Sequence, residues 1–484
     1  MLRTRNHVYA GLVMLAFSAS AVWAQDNGSQ PAPPVAPIQQ PQPSTGATPG
    51  TAAGDNSANG GSQSGDTGQN PIPAKVELDN PPATSAAIPS LVAGVTRSFV
   101  LPEFDYYGQY DTNGQNTTTD PQAITEHTLM GGITLQKVTS RTQFNLAYEG
   151  GRSISPEAGY YNATTQIFGA SERWTGNRWA GFVSDEMSYM SQSTFGGGIT
   201  PDLGGGFGGG GGVNLQPVFL PGQTVFTAYG PRISNAAVAE LDYQSGPRSS
   251  ITFAGVYDLL HFFNSGLINS YSAGGQVGYN YQKTARDTIV VVYRFDALRY
   301  SDNALSVNDN VIELGYRRLV AQRLSFNIAA GPDISEIHDP IAGNFERTSY
   351  AVDASLEYAL KRASLGAAYD HFLTSGSGIL TGSVTDQFSA SLNLQLSRRW
   401  DLGLTALYAR NTGIPGTSSG DAEESLNAVA GNIRLSRTIG RASSVFGAYS
   451  PRYQQRDLAG ISSDIFANQV SFGFSWRPAP IPID

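Results

Sequence analysis

Between Tyr271 and Ala297 the side chains change character with a period of two. Tyr271, Ala273, Gly275, Val277, Tyr279 and Tyr281 alternate with Ser272, Gly274, Gln276, Gly278, Asn280 and Gln282. An extended backbone places the first set on one face and the second on the other, a separation that a helix of 3.6 residues per turn would scramble. After the turn at Lys283–Asp287 the pattern resumes, with Ile289, Val291, Tyr293, Phe295 and Ala297 on one face and Arg294 and Asp296 on the other. The unit is a β-hairpin with two unlike faces.

A soluble sandwich would hide an aliphatic face in its core. Here the apolar face is instead rich in Tyr, Phe and Gly, and hairpins of this kind recur to the end of the chain. Strands of about ten residues, apolar on one face and polar on the other, joined alternately by short turns and longer loops, suit a closed membrane-spanning sheet. Lipid cannot satisfy backbone N–H and C=O groups, so a spanning sheet must have no free edge. Charged residues make up only 14% of the 484, and glycine numbers 55, which agrees with that reading. A complete lack of cysteine excludes disulfides, thiolate metal sites and cysteine nucleophiles. No cofactor is expected, and an isoelectric point near 5.1 argues against nucleic acid as a partner.

Residues 1–24 read as a secretory signal: Arg3 and Arg5, an apolar run from Val8 to Val22, and small residues ending at Ala24. The run is shorter than the ~20 residues of a spanning helix. Losing Arg3 and Arg5 from the 30 basic residues, against 39 acidic ones, takes the net charge from -9 to -11. Residues 25–97 are dominated by Pro, Gly, Ser and Thr and read as a disordered periplasmic spacer, inert or able to meet a periplasmic or cell-wall partner. Residues 98–477 form the barrel and 478–484 a short Pro-rich tail.

Counting apolar rows gives an all-β, antiparallel up-and-down barrel of about 18 strands, with 16 to 20 left open by uncertain boundaries. Segments Tyr160–Arg173 and Arg178–Met190 alternate less cleanly than the others. Every short turn carries or adjoins an arginine: Arg141, Arg178, Arg248, Arg286, Arg323, Arg362, Arg399 and Arg441. Contact with lipid phosphates and attraction of anionic solutes are both open readings of that series.

The last strand presents Val470, Phe472, Phe474 and Trp476 on one face. It resembles the C-terminal signal strand of Gram-negative outer-membrane β-barrel proteins, in which alternating aromatics are recognised by the assembly machinery. It differs in carrying residues beyond the final aromatic. The resemblance implies an outer-membrane location, outer-membrane lipid and the assembly machinery as partners, and a porin-like architecture. The one long loop, near 191–234, contains Phe195, Asp202 and Phe207 and is by count the third external loop, which in general diffusion porins folds into the lumen. Those residues are therefore candidates for a constriction, with a mobile external loop as the alternative.

Barrel hydrolases are the rival class. His127, His261, His338 and His371 fall near outer strand ends, and Asp370 beside His371 must point to the opposite face, so rim residues are the simpler account and no catalytic residue is expected. Alternation places Glu240, Asp242, Arg294, Asp296, Glu313, Arg317, Asp353, Glu357 and Arg434 on the inward, pore-lining face. The expected function is a channel for passive diffusion of small hydrophilic solutes. A polysaccharide export pore working with periplasmic partners, and a structural or adhesion barrel with a plugged lumen, remain as alternatives.

Overall fold

The computed structural model describes residues 98–113, 121–156, 162–190, 231–264, 267–301, 305–321, 323–340, 343–374, 380–414, 424–458 and 461–483. Its strands are β1 (Phe99–Asp111), β2 (Ile124–Val138), β3 (Thr142–Ile154), β4 (Ala163–Thr175), β5 (Trp179–Met190), β6 (Arg232–Gly246), β7 (Ser249–Phe262), β8 (Ser270–Gln282) and β9 (Asp287–Tyr300). They continue with β10 (Ser306–Ala321), β11 (Leu324–Asp339), β12 (Gly343–Ala359), β13 (Ala363–Thr374), β14 (Ser383–Gln395), β15 (Trp400–Gly413), β16 (Ser425–Ile439), β17 (Ser443–Leu458), β18 (Ile461–Trp476) and the two-residue β19 (Ile481–Pro482). Each strand from β1 to β18 pairs antiparallel with its neighbour in sequence, and β1 also pairs with β18, so the sheet closes into an 18-stranded up-and-down barrel.

The two faces differ as the alternation requires. Outward side chains are large, apolar and bare: Leu314 is 64% exposed and Phe472 68%. In water such a surface would drive aggregation, whereas against acyl chains it is the matched solvent, so the barrel is a membrane-spanning one. Register marks the boundary of that band. Across β13 to β18, Tyr369, Phe388, Tyr408, Val429, Tyr453 and Phe466 form one outward row. The next outward row toward the long connections is polar throughout: His371, Asp386, Arg410, Asn427, Gln455 and Asp464. Aromatic girdle and headgroup level thus follow each other within two residues along every strand of this arc. The short-turn end carries its own aromatics, including Trp179 with Tyr243 at 4.4 Å between ring centroids. In barrels of this kind short turns face the periplasm.

The β1–β18 seam is the one adjacent pair in the barrel that no turn connects, and inward side chains stitch it at three heights. Arg477 reaches Glu103 at 3.0 Å and Asp105 at 3.5 Å, Gln469 donates to Gln109, and Arg452 of β17 reaches past β18 to Asp111. Arg452 passes β18 where its register partner is Ala467, a side chain small enough to leave the path clear. Replacing Asp111 with Ala removes the carboxylate from a buried ion pair and is expected to cost about 3 kcal/mol. Urea titration of the lipid-reconstituted barrel measures this, and an unchanged midpoint would show the pair to be dispensable.

Residues after Trp476 do not leave the sheet. Pro482 and Ile481 pair with Phe99 and Val100, and the Ile483 N–H donates to the Ser98 carbonyl at 3.1 Å. In that register Ile481 and Ile483 turn their amides to β1, so Pro480 and Pro482 occupy the positions facing away. Proline has no N–H, and the outer edge of this extension therefore offers no donor to another strand.

Candidate functional site

The inward face is polar on most strands, and charged residues of β6, β9, β10, β12 and β16 stand on it. Arg294 pairs with Asp296 at 3.1 Å, and Asp242 accepts from the Thr252 hydroxyl at 2.6 Å. Asp353 accepts from Asn327 at 3.1 Å, and Glu357 from Ser325 at 3.3 Å. Arg434 stacks its guanidinium over Phe446 at 3.7 Å, a cation–π contact. Glu240, Glu313 and Arg317 share this face. The candidate constriction residues Phe195, Asp202 and Phe207 lie outside the described residues. On the opposite face Val470, Phe472, Phe474 and Trp476 point to lipid, with the last three exposed.

Charge on the wall is not evenly distributed. From β7 to β13 it carries Asp258, Asp296, Asp309, Glu313, Asp333, Asp353, Glu357 and Asp370, with Arg294, Arg317 and Arg347 among them. Asp309 and Asp333 are tied by the Ser335 hydroxyl, which reaches both at 2.8 and 3.2 Å. Arg434, Arg452 and Arg456 stand on β16 and β17, where β1 carboxylates meet part of their charge. On the arc from β7 to β13 carboxylates outnumber arginines.

Sequence reasoning also missed an apolar component of the interior. Leu298, Tyr300, Leu305, Val307, Ile337 and Ile414 form a buried cluster, with Ile268, Phe345 and Leu373 packed against it. These side chains come from the long-connection ends of β9, β10 and β11 and from the residue after β15, so the cluster reaches across the arc occupied by β12 to β14. Gly382 (φ +78°) is where the chain before β14 meets it: a Cβ there would lie 2.6 Å from Ile414 Cδ1 and 2.8 Å from the Tyr300 hydroxyl. Inward residues toward this end are buried on other strands too, with Glu186 and Arg232 each 1% exposed. Inward residues at the short-turn end are buried as well, among them Gln136, Asn145, Thr252 and Thr288, while Glu240, Asp242 and Ser355 are half-buried.

All four barrel histidines lie on the outward face near the long connections. His371 and Asp370 point to opposite faces, as expected. The partner of His371 is on the next strand: its Nδ1 is 2.7 Å from Asp386 Oδ1, the Tyr369 hydroxyl donates to the same oxygen at 2.9 Å, and Tyr350 stacks on the imidazole at 4.2 Å. His127 stacks with Tyr106, and His261 meets Phe263 edge-on. These three sit at the interface level with an aromatic neighbour, where amphipathic rings are stable.

No family model matches the chain, and no curated protein matches it either. Among solved structures it is similar to the FrpB iron transporter from Neisseria meningitidis, with 6% identity over 79% of this chain and 82% of that one and a TM-score of 0.40. It is also similar to Pseudomonas aeruginosa OpdL, with 11% identity over 78% of this chain and 99% of that one and a TM-score of 0.40. Pseudomonas aeruginosa OprD gives 11% identity over 82% and 100% of the two chains and a TM-score of 0.39.

Proposed function

We propose that this outer-membrane barrel is a channel for small hydrophilic solutes that cross by diffusion, with a mild preference for cations. The observation that carries the reading is the inward face, polar and charged on strands whose outward face is bare and apolar. Eighteen strands about 4.8 Å apart and tilted about 40° enclose a backbone diameter on the order of 36 Å, wide enough for an aqueous path. Carboxylates predominate on the arc from β7 to β13, so the interior field attracts cations, and salt weakens the effect by screening.

Planar-bilayer recordings across a potassium chloride gradient test both halves of the proposal. The expected reversal potential has the sign of cation preference and a modest size, which shrinks as total salt rises. A clear anion preference would contradict the assignment of the wall. No conductance under any condition would favour a structural barrel with a closed lumen.

A further inference from the structure

The short-turn rim repeats one feature with a regularity that the fold does not need. The residue immediately before β3, β5, β7, β9, β11, β13 and β15 is in every case an arginine: Arg141, Arg178, Arg248, Arg286, Arg323, Arg362 and Arg399. Before β17 the place is taken by Ala442, with Arg441 one residue earlier. The backbone role of the position is explicit. The carbonyl of each of these seven arginines accepts an N–H from the end of the next descending strand, at 2.8 to 2.9 Å, and Ala442 does the same for Arg477 at 2.6 Å. Any residue has that carbonyl, so the turn geometry does not explain the guanidinium.

All eight arginines are exposed, and among the described residues none makes an ion pair, a side-chain hydrogen bond or a ring contact. The carboxylate beside Arg286, Asp287, is occupied by Thr284, Tyr316 and Arg318. A protein with a net charge of -9 thus holds a ring of unneutralised positive charge at one rim. Along each strand the rim lies just beyond outward aromatics such as Trp174, Trp179, Tyr243, Tyr358 and Trp400. Rings of this kind sit among the headgroups, so the next level out is that of the lipid phosphates.

We infer that the arginine ring is a docking collar for anionic phospholipid headgroups of the periplasmic leaflet, one guanidinium serving each hairpin. A guanidinium matches a phosphate with a fork of N–H donors, and a basic residue near an anionic surface strengthens association about fivefold. An even distribution around the rim suits a planar lipid annulus, which surrounds the barrel, better than a solute, which enters at the centre.

The full-length barrel is reconstituted in vesicles of phosphatidylcholine, or of phosphatidylcholine and phosphatidylglycerol in equal parts, and its heat-induced unfolding is followed by gel mobility. The expected result is a higher unfolding temperature with phosphatidylglycerol, a difference that collapses in high salt. A variant carrying R178Q, R286Q, R362Q and R399Q is expected to lose most of that difference while matching the parent in phosphatidylcholine. The corresponding four lysine substitutions, which keep the charge, are expected to retain it. They also keep the test decisive if the glutamine variant does not assemble: lysine variant and parent must then both show the salt-sensitive shift. Full retention of the phosphatidylglycerol effect in the glutamine variant would overturn the inference. So would a change in reversal potential with no change in lipid preference, since that assigns the ring to solutes at the lumen mouth.

Discussion

Removing Phe472–Asp484 is expected to abolish the assembled barrel, whereas removing only Pro478–Asp484 leaves one that forms and is less resistant to heat. The two deletions differ in what they do to β1. Full β1–β18 pairing joins Phe104 through Asp111 to Trp476 through Gln469, and the longer deletion takes away every partner from Phe104 to Gly108. Those β1 groups would then face acyl chains with no water to receive them, at several kcal/mol for each unsatisfied group. The outward aromatics Phe472, Phe474 and Trp476 go with the same cut, and with them the feature that resembles an assembly signal. The shorter deletion removes the two β19 pairs with Phe99 and Val100 and the Ile483–Ser98 hydrogen bond at the rim, where water can take over, and it spares Arg477 with its contacts to Glu103 and Asp105. Outer-membrane fractionation and the shift in gel mobility on heating distinguish the outcomes. Assembly of the longer deletion would mean that β17 and β1 can close the sheet without the end of β18.

What the sequence made legible follows from where polarity alone separates the two faces. The hairpin at Tyr271–Ala297 is β8 and β9, and Glu240, Asp296 and Arg434 stand on the inward side with apolar residues immediately before and after them that face outward. Segments β4 and β5 were harder to read for a physical reason. Their inward rows contain apolar Ile167 and Met190, while outward positions hold Gln166, Glu172 and Asp185, the last accepting from Asn235 at 2.6 Å. Polarity does not sort such strands, and only register does. The same limit hid the apolar cluster at the outer mouth, whose members run from Ile268 to Ile414 and include Leu305 and Ile414, which lie outside the strands. It also hid the seam, where Asp111 and Arg452 meet across a separation of 341 residues, and the His371–Asp386 contact, which exists only because β13 and β14 pair in one particular register.

Opening the outer mouth is expected to raise single-channel conductance several-fold. An apolar constriction resists water and ions even where it is sterically wide enough, because ions lose hydration and find no replacement ligands. The cluster of Leu298, Tyr300, Leu305, Val307, Ile337 and Ile414 has that character and sits at the long-connection end of the lumen. Ile414 and Tyr300 are the members to change, since both meet at Gly382 and so join the two sides of the cluster. Replacing both with Ser removes the apolar bridge and supplies hydroxyls that can hold water. Neither substitution touches a lipid-facing row or the seam, so heat-modifiable migration should persist. Conductance is then compared with the parent protein in the same salt and at the same voltage. An increase places the cluster across the conduction path as its narrowest, driest section. Equal conductance in an intact barrel would place it beside the path, as packing that holds the ends of β9 to β11 against the segment after β15, and the constriction would have to be sought elsewhere along the wall.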